Sequence, residues 1–369
     1  MVEDINPPVI EVEGPAAVRG EAYGRAAETR IKRGAAYYEG LFRDRGIAIE
    51  NVKRAAATLA GKLEALYPEQ FQEIAAIAKG ADVDIQSVLV INGRSEILNA
   101  AGQQQLAQEV EDGCTSALAM PSRTACGRLL HGQNWDWRPE CERTSVILKV
   151  HRAGGPSLIT YVEAGGLARA GMNSAGIAIT GNNLRTDNET FTEPGIPISV
   201  IRRLVLEAPG AAEALQAVAS APRTVSNNMM ISCAQDRGVA FDLETTPAEI
   251  FWLAPERGLL AHANHFVSQA ARCKVRDAGL ISGMDTLFRD LRVHERLDMA
   301  GNAIGFEDFV DAFFDRFGHP HGVLRSPEGG TGSDPISATV ATIIMNAGEG
   351  EMHVCQSPYK NDQFVRHKL

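Results

Sequence analysis

The chain has 369 residues, 44% of them hydrophobic and 22% charged, which excludes disordered and fibrous classes. Its 36 Lys and Arg against 46 Asp and Glu leave a formal charge of −10, which argues against a broad nucleic-acid or anionic-membrane surface. No apolar run nears the roughly 18 to 20 residues of a membrane span. The acidic start MVEDINPPVIEVEG is unlike a signal peptide, so the reading is cytoplasmic.

In chain order, the first third reads as helical. From Ile49, the positions Val52, Ala56, Leu59, Leu63 and Leu66 keep amphipathic spacing until Pro68 interrupts. Phe71, Ile74, Ala75 and Ala78 continue the pattern to Gly80, and Asp84 opens a third helix running towards Leu98. The run ETRIKR, 28–33, reads as a solvated helix face. A polar stretch, 101–113, then reads as an exposed linker. Beyond it the texture becomes β: CTSALAM, RLLHGQNWDW, TSVILKVHR, SLITYVE and GMNSAGIAITGNNL. Two helical runs, ISVIRRLVLEA and AAEALQAVAS, interrupt before MMISCAQ, VAFDLE, EIFWLA and LLAHANHF. A helical FEDFVDAFFDRF, the Gly-rich SPEGGTGSDP and a closing hairpin complete the chain. Strands and helices in separate runs predict an α+β layered fold.

Six cysteines, at 114, 126, 141, 233, 273 and 355, form no CxxC pair and no metal-finger spacing. Neither a disulfide scaffold nor a structural zinc is expected; Cys126 and Cys141 read as reduced thiols. The chemistry concentrates at Asp112-Gly113-Cys114-Thr115-Ser116, where the helical part meets the first strand. A cysteine after a glycine, which admits strained backbone, can attack the preceding carbonyl in an N→S acyl shift. Hydrolysis of that ester leaves Cys114 with a free α-amine, whose ordinary pKa of about 7.7–8.0 suits a base for its own thiol. The plain alternative is a buried strand thiol. A hairpin through SRTACGR would return Asn134 and Asp136 beside Cys114, where a carboxylate can orient the new ammonium. Asp136 closing a strand end, with Trp135 and Trp137 as core, is the equal alternative.

Taken together, DGCTS, GQNWDW, GMNSAGIAITGNNL and AHANHF, in that order, resemble the acyl-coenzyme A:6-aminopenicillanic acid acyltransferase family. These are cysteine N-terminal-nucleophile (Ntn) hydrolases, related more distantly to the choloylglycine hydrolases. The resemblance covers most of the chain and implies a four-layer αββα sandwich, made as a precursor that cleaves itself between Gly113 and Cys114. It implies Cys114 as nucleophile, Asp136 as the carboxylate that orients its amine, and Asn264 as an oxyanion donor, a role worth about 3–4 kcal/mol. Asn183 matches a second active-site asparagine, with Asn182 one position away as the competing register. Arg325 in GVLRS sits where relatives carry an active-site arginine; its alternative is a surface salt bridge. Gln133 stands where the choloylglycine branch has arginine, which places the chain with the penicillin acyltransferase-like branch. Gln133, Asn134 and Asn182 are taken as substrate-binding.

The expected protein is a helical α chain, 1–113, held by its apolar faces on a catalytic β chain, 114–369. The expected substrate is a small N-acyl amide, with an acyl-CoA donor if the reaction is transfer; a higher homo-oligomer stays open. No cofactor and no metal are expected. His262 and His265 follow a strand, not the i, i+4 spacing of helical ligands, and no third ligand adjoins them. The loop 329–334 lacks the GK[ST] of a phosphate cradle and reads as a pocket rim. Two other classes compete: an unprocessed Cys–His hydrolase using His262 or His265, and a catalytically silent binding protein on the same fold.

Overall fold

Periodicity and punctuation account for the N-terminal helices. In this computed structural model, which describes residues 6–101, 113–189, 192–281, 283–327 and 337–369, a first strand β1 (Val9–Glu13) precedes five helices. They are α1 (Ala16–Ala26), α2 (Glu28–Asp44), α3 (Ile49–Leu66), α4 (Pro68–Ala81) and α5 (Ile85–Ala101). α3 buries Val52, Ala55, Ala56, Leu59 and Leu63, and Pro68 opens α4 at a position where its missing N–H costs nothing. Leu66, expected on the buried stripe, is exposed at the end of α3. α1 and α4 cross closely, because a side chain at Gly20, Gly24 or Gly80 would strike the other helix's backbone. The linker expected at 101–113 falls largely on residues 102–112, outside the described residues.

The β-type runs form two sheets. The strands are β2 (Thr115–Ala119), β3 (Leu130–Trp137), β4 (Ser145–His151), β5 (Leu158–Glu163), β6 (Ala170–Asn173) and β7 (Ile177–Thr180). After α6 (Ile198–Glu207) and α7 (Ala211–Ser220) come β8 (Asn227–Cys233), β9 (Val239–Thr245), β10 (Ile250–Leu253) and β11 (Leu259–His262). Helices α8 (Gln269–Lys274), α9 (Thr286–Met299) and α10 (Phe306–Phe313) precede β12 (Ala338–Asn346), β13 (Glu351–Gln356) and β14 (Val365–Lys368). One sheet is ordered β1-β4-β5-β6-β7-β8-β9-β10, the other β11-β2-β3-β12-β13-β14. β1 pairs in parallel with β4, Val9 opposite Ile147, so the N-terminal segment supplies an edge strand of the larger sheet.

Strand alternation assigns each side chain to a layer. In β4, Val146, Leu148 and Val150 pack under α1–α7, whereas Ile147 faces the second sheet. In β3, Trp135 and Trp137 lie between the sheets, and Leu130 faces the α9–α10 layer with Val293, Leu297, Phe309 and Phe313. The result is the αββα sandwich. No described helix is long and apolar enough to cross a membrane.

Candidate active site

β2 and β3 fix the centre. Their register pairs Thr115 with Asn134, so the hairpin sets Gly113 across from Asp136 at the strand end. Cys114 is buried; its Sγ lies 3.8 Å from the Asp136 carbonyl oxygen. Parity then divides the surroundings. Cys114 joins the inter-sheet core with Trp135 and Trp137, while Thr115 and the Asp136 carboxylate face α9 and α10.

On that helix-facing side, Thr339 Oγ1 donates to Asp136 Oδ1 at 2.7 Å, and Arg325 Nε stands 3.4 Å from Oδ2. Arg325 also bonds Asp285 and, at 3.2 Å, Ser337. It is buried, so it is not the surface salt bridge weighed as its alternative. Its guanidinium lies against the α carbon of Gly113, and any Cβ there would collide with it. The glycine there is required for space. Asp112 lies outside the described residues, as does the 329–334 loop expected at the pocket rim.

The four amide side chains singled out in the sequence differ in what they leave available. Asn134 donates to the Phe313 and Val323 carbonyls at 2.7 and 2.9 Å and accepts from Thr342. Asn182 accepts from Ser116 and Gln133 and donates to the His262 carbonyl at 2.9 Å. Both side chains are engaged by protein groups. Gln133 bridges the sheets through Gly181 and Asn182, and its buried Oε1 has no partner among the described residues. Any substrate contact by Gln133 rests on that oxygen. Asn183 is half-buried, lines the cavity at Cys114, and accepts at its carbonyl from Asn264 Nδ2 at 3.0 Å. Of the two neighbours, Asn183 lines that cavity and Asn182 bonds other protein groups.

Both histidines are engaged by other groups. His262 is bonded to Glu244 at 2.9 Å and to the Ala263 carbonyl. Burial alone would lower its pKa, but Asp242 and Glu244 outweigh that and raise it to about 9. His265 bonds Thr286; burial, helped by the charge on His262, lowers it to about 4. No set of three metal-ligating side chains occurs among the described residues. None of the six cysteines is in a disulfide; Cys126 is exposed and Cys141 is buried against Glu163.

Sequence reasoning missed Arg289. On α9 it donates to the Cys114 carbonyl, Thr115 Oγ1 and Asn264 Oδ1, and pairs with Asp285. A signal existed: Arg289 shares a helical face with Val293 and Leu297, a charge on an otherwise core stripe.

Two adjoining cavities open here. One is lined by Cys114, Asn183, Glu96, Glu163, Arg169 and Arg202. The other is lined by Tyr38, Leu41, Phe42, Leu98, Trp137 and Leu184 on one hand and by Arg45, Arg94, Arg185 and Glu189 on the other. They share Arg94, Ser95 and Asn183, so α5 contributes to both. Arg94 lies over the Trp137 ring at 4.6 Å and bonds Glu163 at 2.6 Å. Arg169 lies over Trp135 at 4.1 Å and bonds the same carboxylate, which these cations hold below its ordinary range against the effect of burial.

Comparison with known proteins adds three findings. The sequence family described as acyl-coenzyme A:6-aminopenicillanic acid acyl-transferase matches residues 123–356, starting just downstream of Cys114. The acyl-coenzyme A:6-aminopenicillanic-acid-acyltransferase 40 kDa form of Emericella nidulans is 26% identical over 259 residues, 69% of this chain and 68% of that protein. A mutant conjugated bile acid hydrolase from Clostridium perfringens superposes with a TM-score of 0.50 at 15% identity, covering 69% of this chain and 92% of its own; a second variant of it gives 0.50 at 16%. At that identity the likeness concerns the fold, the Ntn-hydrolase sandwich.

Proposed function

The chain belongs to the acyl-coenzyme A:6-aminopenicillanic acid acyl-transferase family, whose enzymes make or break amide bonds, and on that premise we propose that it is an autoprocessed cysteine Ntn amidohydrolase. The observation that carries the reading is the Gly113–Cys114 junction, with a carboxylate and a guanidinium on one side and a cavity on the other. The Cys114 thiol attacks the Gly113 carbonyl, the C–N bond gives way to a C–S bond, and water releases the Gly113 carboxylate. Asp136 then orients the freed α-amine, with the Arg325 guanidinium beside it. Residues 1–113 and 114–369 remain together as two chains. β1 in the larger sheet, and α5 at both cavities, support that arrangement.

In turnover, the α-amine takes the thiol proton as sulfur attacks the amide carbonyl of the substrate. The carbonyl electron pair moves to oxygen, where an N–H of Asn264 and a backbone N–H receive the charge. Collapse returns the proton to the departing amine and leaves a thioester on Cys114. Water completes hydrolysis; an incoming amine gives acyl transfer, with an acyl-CoA as the alternative donor. The substrate is a small non-peptide N-acyl amide. The aromatic and aliphatic part of the second cavity's lining suits an acyl side chain, and the cavity at Cys114 suits the polar part.

Intact mass and N-terminal sequencing after incubation test this. A fragment beginning Cys-Thr-Ser, absent in Cys114→Ala, is expected. A single uncleaved chain that still hydrolyses N-acyl amides would overturn autoprocessing.

A further inference from the structure

We propose that Arg289 is the positioning residue of this site, locking the Asn264 amide in one orientation and tying it to the Cys114 backbone. The inference rests on the reading of Cys114 as nucleophile and Asn264 as oxyanion donor. Arg289 itself touches no reacting atom.

The geometry is a fork. Arg289 Nη1 donates to the Cys114 carbonyl at 2.7 Å and to Thr115 Oγ1 at 2.9 Å. Nη2 donates to Asn264 Oδ1 at 2.9 Å, and Nε donates to Asp285 at 2.8 Å. An asparagine amide has nearly the same shape either way round, so its environment must choose. A guanidinium offers only donors, hence Oδ1 faces Arg289 and Nδ2 faces away. One N–H of Nδ2 then reaches the Asn183 carbonyl at 3.0 Å, and no described residue accepts the second. Flipping the amide would set N–H against N–H at Arg289 and carbonyl against carbonyl at Asn183. The orientation that leaves an N–H for an oxyanion is therefore the one Arg289 imposes.

The cost of the arrangement points the same way. Arg289 is buried on the α9 face that also holds Thr286, Asp290, Val293 and Leu297, where an apolar residue would pack without desolvating a charge. A lysine would supply charge to Asp285 but could not span both the Cys114–Thr115 backbone and Asn264 with one nitrogen.

The test compares two reactions of the same thiol in the processed protein. Alkylation by iodoacetamide, followed by peptide mass at Cys114, has no oxyanion. Acylation by p-nitrophenyl acetate, followed as a nitrophenolate burst, does. In Arg289→Lys and Arg289→Gln, alkylation is expected to stay within about twofold, while burst acylation falls about 10- to 100-fold, less than outright loss of an oxyanion donor. Combined with Asn264→Ala, either change should add almost nothing to the Asn264→Ala loss, because both act through one group. Equal falls in both reactions, an unchanged burst, additive losses, or failure of both variants to fold would each overturn the positioning role. Cys114→Ala separates the layers of the argument. A burst surviving that change overturns the nucleophile reading, and Arg289's role with it. A burst lost there but intact in Arg289→Lys overturns Arg289 alone.

Discussion

Glu73→Gln is expected to weaken the attachment of the N-terminal helices more than any change of similar size on their surface. Glu73, on α4, is buried between Arg19 of α1 and Arg203 of α6. Arg19 reaches it at 2.5 Å, and Arg203 makes two bonds at 3.0 and 2.9 Å. Arg203 therefore belongs to the downstream part of the chain and Glu73 to the upstream part, so the network crosses the proposed cleavage. Removing one partner of a buried pair costs about 3–5 kcal/mol, chiefly by stranding charge. Here the stranded guanidiniums keep partners, Arg19 in Glu69 and Arg203 in Glu207, which argues for the low end, about 3 kcal/mol. For a chain of this length, unfolding entropy is about 0.8 kcal/mol per degree, so melting should fall about 4 °C. The same loss should raise the dissociation constant of the separated chains about 100-fold. Urea melts of uncleaved Cys114→Ala protein, with and without Glu73→Gln, give the first quantity. Dilution of cleaved protein, followed by size-exclusion, gives the second. A melt unchanged within about 0.5 kcal/mol would refute the assignment of net stability to this network.

Three further outcomes follow from other sites. Asn264→Ala should lower kcat about 100- to 1,000-fold with little change in KM, read by steady-state kinetics on an N-acyl amide. Gly113→Ala should slow self-cleavage at least 10-fold while the fold persists, since the new Cβ must displace Arg325; intact mass against time checks it. Stability should decline as pH rises from about 6.5 to about 9, because His262 is held protonated by Asp242 and Glu244 and binds a proton the unfolded chain has released. The shifts of Asp242, raised to about 6, and His265, lowered to about 4, act below that window, so His262→Gln should flatten the slope in urea melts.

The sequence carried the hairpin that sets Asp136 opposite Gly113, because two successive strands pair antiparallel and their alternation limits the register. Parity also sorts residues that the sequence sets side by side. Asn134 is close to Cys114 along the chain, but its even position turns it to α10; Asn182 and Asn183 are neighbours, but opposite faces give one to the inter-sheet network and the other to the cavity. β1 had a visible alternation in Ile10 and Val12, yet five residues without a hairpin partner gave no reason to expect a parallel mate 140 residues on. α9 escaped notice because its buried stripe carries Arg289 and Asp290 among Thr286, Val293 and Leu297, which dilutes the apolar period. The residue that hid the helix is the one the site depends on for orientation.

That coincidence has a physical basis in how the layers divide the work. The helix-facing side of β2 and β3 holds Asp136, Asp285, Arg289 and Arg325, two anions and two cations, linked into one network through Asp285 and closing to no net charge. A neutral, mutually bonded set can be buried under α9 and α10 at a cost that any single member could not. Removing Asp285 alone would leave Arg289 and Arg325 repelling each other across Gly113 and Cys114. The inner side instead exposes Cys114 to a cavity where Arg94 and Arg169 outnumber the Glu163 they share. One strand position thus separates the groups that hold the reacting backbone from those that meet a ligand. It follows that charge changes on the outer side should move self-cleavage and acylation together, whereas changes at Arg94 should alter KM while leaving self-cleavage intact.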